Sequence, residues 1–383
     1  MLVTLYVTRD CNMDCLYCYA GAKRPQQMSQ QTAEKSVMLT LENSKIFPSI
    51  RFFGGEPLLK WALVKHVVDF TLTEAKKRRL LPSFSIATNG ILLEEEHLCF
   101  FEKHNVGVGI SIDGLPVVHD RNRRTMEGGP SFDLVIKKFK LFRDRDIRYS
   151  IELVADPTTI CDLASSVRFL VKELGVPFII ISVNVFAEWP TNYRCILKEQ
   201  FEAIGEFYLE RFNQGEPFEI DAINNKINVI LRGGYNMDRV CKLGSNEVVV
   251  VPDGRIYSCL RLVGWDEEGE TTIGHVDHGL DRKKIAQQFT QSRIKPSRCK
   301  GCENDGICIN WCGSTNLVLT GSFSETGDFL CNYEKTLIAT CRDIMERLDM
   351  EKYRQMNSSY LEICGSCACK GVSRETNVNS NFK

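Results

Sequence analysis

The sequence predicts an α/β fold, an open, partial (β/α)6 TIM-like barrel followed by a small cysteine-rich region. Three observations predict it. Short apolar runs alternate with amphipathic helical stretches from residue 2 to about 225. Glycine, asparagine or aspartate stands where each run would hand over to the next stretch. Cysteine, used 17 times in 383 residues, is concentrated in the first such turn and after Cys241. Six strand–helix units in a row imply parallel pairing with right-handed crossovers.

The strand candidates are Leu2 to Thr8, Ile50 to Phe53, Phe84 to Thr88, Val106 to Ile112, Ile147 to Val154 and Phe178 to Val185. Each is a short apolar or β-branched run bounded by turn residues. Between them Gln30 to Asn43, Trp61 to Lys77, Glu94 to His104, Phe132 to Phe142 and Leu163 to Leu174 repeat apolar residues at helical spacing. A helical region from Tyr193 to about Leu231 ends at Gly233-Gly234. The expected organisation is a barrel over 1–225, a cysteine-rich domain over 226–345, and a helical extension with a polar tail over 346–383.

With 48 basic and 49 acidic residues the formal charge is −1, so no global field draws the chain to nucleic acid or an anionic membrane. The start of the chain lacks the basic, apolar and small-residue order of a signal peptide, and no segment has 18 uninterrupted apolar residues. The expectation is a cytoplasmic protein in which cysteine serves metal rather than a disulfide framework.

In an open α/β barrel, chemistry collects at the carboxyl ends of the strands. There the sequence places the loop Cys11 to Cys18, then Gly54-Gly55-Glu56-Pro57, Thr88-Asn89-Gly90, Ser111 to Gly114, Asp156 and Asn184. Cys11, Cys15 and Cys18 follow C-x3-C-x2-C, which can turn three thiolates to one side of a tight loop. Such a set can hold three irons of a [4Fe–4S] cube and leave the fourth open. A zinc knuckle would want a fourth ligand nearby. Gly54 and Gly55 allow close backbone approach to a ligand, and Glu56 adds a negative charge. Thr88, Asn89, Ser111 and Asp113 offer groups for ribose hydroxyls or a carboxylate, or act as turn residues and caps. Asp113 and Asp156 are candidate bases. His119 reads as a structural hydrogen-bonder, and at least two of Arg121, Arg123 and Arg124 as a solvated basic loop.

The cysteine spacing, with aromatic Tyr17 just before Cys18, resembles the signature of the radical S-adenosylmethionine (radical SAM) enzymes. That resemblance implies that Cys11, Cys15 and Cys18 carry a [4Fe–4S] cluster whose open iron binds SAM. It also implies that an electron from the cluster releases a 5′-deoxyadenosyl radical, and that Gly54, Gly55, Glu56 and Pro57 meet the SAM amino group. Ser111 to Gly114, Val118 to Arg123 and Gly129 to Asp133 resemble a stretch of family members that act on peptides and proteins.

After Gly234 come Cys241, then Gly254 and Cys259, then Cys299, Cys302, Cys308 and Cys312 as C-x2-C-x5-C-x3-C, and Cys331. Seven cysteines exceed one four-ligand site and fall one short of two; a pair of structural zinc sites is the other reading of C-x2-C pairs. The arrangement resembles the SPASM domain, a two-cluster extension of radical SAM peptide and protein modifiers. It implies an outer [4Fe–4S] cluster on Cys299, Cys302, Cys308 and Cys331, and an inner one on Cys241, Cys259 and Cys312. The inner cluster then either keeps an open iron for a substrate thiolate or takes water, Cys195, Cys341 or a tail cysteine as fourth ligand.

The layout also resembles anaerobic sulfatase-maturing enzymes, which carry an aspartate immediately after the G-x4-C cysteine. Here Leu260 and Arg261 stand there, which disfavours that role. The expected substrate is a cysteine-containing ribosomal peptide, and the expected product is a thioether or other crosslink started by hydrogen abstraction. The expected partner is an electron donor such as flavodoxin or ferredoxin; since the chain starts almost at the first strand, substrate recognition is expected to use the barrel mouth, the second domain or a separate leader-peptide-binding protein. Cys364, Cys367 and Cys369 in the polar tail read as a disordered segment, a cluster ligand or a thiol relay. The non-enzyme alternative is a metal-bearing interaction module.

Overall fold

A computed structural model describes residues 1–356 except 22, 239 and 267. The first half alternates as expected: β1 (Leu2–Thr8), α1 (Gln30–Glu42), β2 (Ser49–Gly54), α2 (Trp61–Arg78), β3 (Ser83–Thr88), α3 (Glu95–His104) and β4 (Val106–Ser111). It continues through α4 (Pro116–Asn122), α5 (Phe132–Arg143), β5 (Tyr149–Ala155), α6 (Leu163–Lys172) and β6 (Phe178–Val183). Strands β1 to β6 lie side by side in chain order, all parallel. Sequential order means that every helix crosses to the next neighbour, which coils the sheet in one direction.

Burial alternates along β2 to β6. Ile50, Phe52, Ile86, Ile110, Ile151 and Ile179 belong to one continuous core with helix residues such as Val37, Val67, Phe101, Phe139 and Val167. On the opposite face Arg51, Phe53, Ser85, Gly107, Gly109, Ser150 and Glu152 are half-buried. These side chains are mostly small or polar and do not fill the space as a closed barrel's interior layers do. That face remains a groove.

The predicted helix from Tyr193 to Leu231 is divided into α7 (Tyr193–Asn213), a two-residue strand β7 (Glu219–Ile220) paired to the start of β6, and α8 (Asp221–Leu231). So short a strand leaves no periodicity to read. α8 runs through position 225, where the sequence places a domain boundary.

The cysteine-rich region does not sit apart from the sheet. β8 (Glu247–Val250) pairs parallel with β1, and β9 (Arg255–Tyr257), β10 (Thr272–His275) and β11 (Gly279–Leu280) extend it antiparallel. β1 is therefore an interior strand, buried on both faces. With α9 (Leu260–Trp265) and α11 (Gly313–Thr320) this region covers Tyr6 in a second core of Val249, Val251, Tyr257, Leu262, Val263 and Leu317. α10 (Arg282–Ser292) precedes the second cysteine run, and α12 (Asp328–Arg347) carries Cys331 back against α7 and α8 before α13 (Met350–Met356). Among the described residues, no helix is long and apolar enough to cross a membrane.

Candidate active site

The cysteine loop leaves β1 and is fastened along its length. The Gly55 N–H donates to Thr8 O (2.8 Å) and the Glu56 N–H to Asp10 O (2.9 Å), continuing the β1–β2 pairing past the strands. A Cβ on Gly54 (φ +147°) would overlap the Thr8 carbonyl oxygen. A Cβ on Gly55 would overlap that of Asp10 and lie 3.0 Å from Cys11 Cβ. The glycines are thus required by the cysteine loop's own backbone, and the N–H groups of Gly55 and Glu56 are taken by it.

Glu56 is fully buried. Its carboxylate accepts from Leu58 N (3.0 Å), Asn89 N (2.8 Å) and Thr88 Oγ1 (2.9 Å), tying the end of β2 to the end of β3. Burial pushes its pKa up to about 7, with the three donors pulling the other way. Asn89 Nδ2 donates to Asn12 Oδ1 (2.7 Å) and reaches Cys11 Sγ at 3.9 Å, while its Oδ1 accepts from Ile91 N (3.0 Å). Thr88 and Asn89, assigned to ribose or carboxylate from sequence, are engaged in holding Glu56 and the loop. Pro57 starts the short helical turn that Glu56 caps. Ser111 is half-buried at the end of β4, on the groove face.

Asp113 is 1% exposed and accepts three hydrogen bonds. Arg123 Nη2 donates to Oδ1 (3.1 Å), Val154 N donates to Oδ1 (3.0 Å), and Tyr17 Oη donates to Oδ2, while Arg123 Nε stands 3.1 Å from Oδ2 as an ion-pair contact. The Arg123 guanidinium also lies 5.3 Å from the Tyr17 ring centre. Held by three donors and an ion pair, Asp113 serves here as the anchor of Tyr17 rather than standing free as the candidate base. Of the three arginines, Arg123 is the one that serves a carboxylate, buried beside Asp113, while Arg121 is exposed, near Asp162 (3.5 Å). His119 is structural: Asp113 N donates to its Nδ1 (3.3 Å), and its Nε2 meets Ser131 Oγ (3.0 Å). Burial lowers its pKa to about 4, keeping it neutral. Asp156 is 5% exposed and accepts from Thr158 N (3.0 Å), Thr158 Oγ1 (2.6 Å) and Asn184 Nδ2 (2.8 Å), so it too serves the loop geometry rather than a base's role.

Burial pushes the Cys11 thiol up to about 12 and Cys15 upward, and the other thiols of the loop add to this. Binding iron displaces those protons. Three mutually repelling thiols on one rigid loop, Cys18 exposed among them, fit a cluster-binding donor set.

Cys299, Cys302, Cys308 and Cys331 line one cavity of about 170 Å³ together with Asn304, Asn310 and Glu334. Its wall is braced by Lys226 of α8, 2.6 Å from Glu334, both nearly fully buried. Lys226 also donates to Ile307 O (2.8 Å), and Glu334 accepts from Ile309 N (2.9 Å). No local pattern along the chain announces this pair. The Cys259 thiol is pushed up to about 12, mainly by burial, with Cys312 and Cys241 as raising neighbours. The structure thus brings Cys299, Cys302, Cys308 and Cys331 to one cavity and sets Cys259 near Cys312 and Cys241.

Among the candidate fourth ligands, Cys341 is buried inside α12 with its Sγ 3.8 Å from Ile223 O of α8, which removes it. Cys195 is exposed at the start of α7. Cys364, Cys367 and Cys369 lie outside the described residues. α9 begins beside Cys259 and passes so close to the first loop that a Cβ on Gly264 would overlap Tyr19 O and lie 2.7 Å from Gly21 N. Tyr19 in turn stacks on Phe186 (5.9 Å between ring centres). Sequence reasoning missed Gly264, since a lone glycine in a short helix announces no partner.

Residues 5–170 match the family described as the Radical SAM superfamily. Over 328 residues the chain is 24% identical to a cysteine-type anaerobic sulfatase-maturating enzyme of Clostridium novyi, covering 79% of this chain and 85% of that one. Over 374 residues it is 24% identical to the radical SAM cyclopropyl synthase TigE of Paramaledivibacter caminithermalis, covering 90% and 74%. In fold it is similar to native anSMEcpe with bound AdoMet, with a TM-score of 0.77 at 22% identity over 90% of this chain and 99% of that one.

Proposed function

We propose that this radical SAM enzyme, a relative of anaerobic sulfatase maturases and of radical SAM peptide modifiers, matures a cysteine-containing ribosomal peptide by forming a thioether or other crosslink. One observation carries the reading. The inner cysteine group abuts the radical-generating loop through the Gly264–Tyr19 backbone contact, so a substrate held at one lies beside the other. When loaded, the loop cluster supplies the electron that cleaves SAM, and the auxiliary clusters supply an acceptor for the electron left when a carbon radical closes onto sulfur.

The chain's own residues do the positioning. Tyr17, Asp113 and Arg123 pin the loop from the β4–β5 side, and Glu56, Asn89 and Asn12 pin it from the β2–β3 side. The groove face, with Ser111 and Glu152, is where SAM and peptide enter. An open iron held by Cys241, Cys259 and Cys312 would favour the deprotonated substrate thiol; with that proton and one hydrogen atom from carbon lost, and one electron passed on, a thioether product would be lighter by two hydrogens. Electrons come from a flavodoxin- or ferredoxin-type donor.

Side-chain oxidation of the sulfatase-maturing kind is the second reading, favoured by the C. novyi likeness. Leu260 and Arg261 stand against it.

The test begins with iron and acid-labile sulfide after anaerobic reconstitution. About twelve irons per chain are expected, falling to about eight with Cys11, Cys15 and Cys18 changed to Ala. Incubation with SAM, a reductant and cysteine-containing peptides should then give 5′-deoxyadenosine and a peptide lighter by two hydrogens. A peptide cysteine converted to formylglycine would favour the second reading. Bound zinc without iron, and no SAM cleavage, would leave only a metal-bearing interaction module.

A further inference from the structure

A cation stands beside the inner cysteine group with hydrogen-bonding capacity to spare. Arg293 follows α10 as its C-cap. One arm is engaged, Nη2 donating to Cys241 O at 2.6 Å. Its Nε and Nη1 are buried and have no hydrogen-bond partner among the described residues. The guanidinium is shelved between the rings of Phe289 and Trp311, 4.8 and 5.7 Å from their centres. The ionisable groups that act on it are the Cys241 and Cys312 thiols, and no carboxylate is among them.

Leaving a buried donor unsatisfied costs about 1–3 kcal/mol, more for a charged group. A position at a helix C-terminus offsets part of the cost of the charge but satisfies neither donor. The two rings flank the guanidinium and help hold it in this position. Three thiolates around a [4Fe–4S] core give a net negative group whose sulfurs accept hydrogen bonds, and such bonds set cluster potentials. The outer cavity differs. Its cations are already matched, Lys226 by Glu334 at 2.6 Å and Arg298 by Asp328 at 2.6 Å.

We infer that Arg293 is a positioning residue of the inner auxiliary site: its Nε–H and Nη1–H donate to sulfur of the cluster held by Cys241, Cys259 and Cys312, and make that cluster easier to reduce than the outer one. The inference rests on the three-cluster reading above. It assigns the direction of electron flow: the one electron released as the crosslink closes reduces the inner cluster first, and the outer cluster is the poorer acceptor.

The test is a redox titration followed by electron paramagnetic resonance on the reconstituted full chain, in the Cys11, Cys15, Cys18→Ala background so that only auxiliary clusters contribute. Arg293→Met should keep about eight irons. The reduced-to-oxidised ratio of its inner cluster at fixed potential should fall about tenfold, equivalent to about 59 mV for a one-electron couple. Arg293→Lys, which restores the charge without the fork, should fall between. An unchanged potential in Arg293→Met overturns the inference. So does loss of about four irons in both variants, which would make Arg293 a requirement for assembly. The parent's iron count separates the two levels: about four irons in the triple-Ala background removes the inner cluster, and the three-cluster reading falls with it.

Discussion

Gly55→Ala is the sharpest probe of how the barrel builds its cysteine loop. The added Cβ would overlap the Asp10 carbonyl oxygen, and the Asp10 carbonyl carbon would lie only 2.6 Å away. Both atoms are backbone, so no side chain can swing aside. Reaching ordinary contact with that oxygen requires the loop to retreat by about 1.3 Å, and overpacking of that kind costs about 1–3 kcal/mol. The retreat stretches the Gly55 N–Thr8 O and Glu56 N–Asp10 O bonds, now 2.8 and 2.9 Å, at about 1 kcal/mol each. The total is about 3–5 kcal/mol, concentrated on the segment that carries Cys11. Misplacement on the order of 1 Å in a reacting constellation can lower rates about a hundredfold. The assay pairs iron per chain with 5′-deoxyadenosine formation under reducing conditions. The variant should lose about four irons and at least about a hundredfold in rate, with the auxiliary iron retained. Gly107→Ala on β4 is the control, because its Cβ would meet Phe84 O at 3.8 Å and Ser85 Cβ at 3.9 Å, which is ordinary contact. A Gly55→Ala protein with full iron and the parental rate would refute the argument that the glycine serves the loop.

Three further outcomes follow from buried charge. Asp113→Asn should lower SAM cleavage even without peptide, because it releases Tyr17 and leaves the buried Arg123 uncompensated; uncoupled cleavage at the parental rate would return Asp113 to the role of a base acting on substrate. Lys226→Met should lower thermal stability by about 3–5 kcal/mol, and adding Glu334→Leu should recover part of it, as expected for a buried pair broken on one side; an unshifted unfolding transition in the single variant would refute this. Glu56, raised by burial from its ordinary 4.5 to about 7, binds its proton more tightly folded than unfolded. Its contribution is therefore present below about 4.5 and lost as pH rises to about 7, a loss of about 3 kcal/mol. Glu56→Gln should flatten that segment of the stability–pH curve relative to the parent, while weakening the protein where an amide N–H replaces an acceptor; identical slopes in the two proteins would show that Glu56 does not titrate there.

By itself the sequence determined the repeating βα order and the cysteine groups. The burial alternation of Ile50, Phe52, Ile86, Ile151 and Ile179 is written in the strands, and helix periods are written between them, because both depend on residues a few positions apart. The spacing of Cys11, Cys15 and Cys18, and the split of the later seven cysteines into four and three, follow from the same locality together with family resemblance. What only the tertiary structure decided was who faces whom. Gly55 serves Asp10, Gly264 serves Tyr19, Asp113 holds Arg123 and Tyr17, and Lys226 meets Glu334 across 108 residues of chain. β8 pairing with β1 turned an expected separate domain into a continuation of the sheet. Those contacts join residues remote in the chain, and no local pattern encodes which remote partner will occupy the space a glycine leaves or neutralise the charge a helix buries. Arg293 is the same case: its sequence neighbours mark a helix end, and its unpaired donors become visible once Cys241 and Trp311 are folded against it.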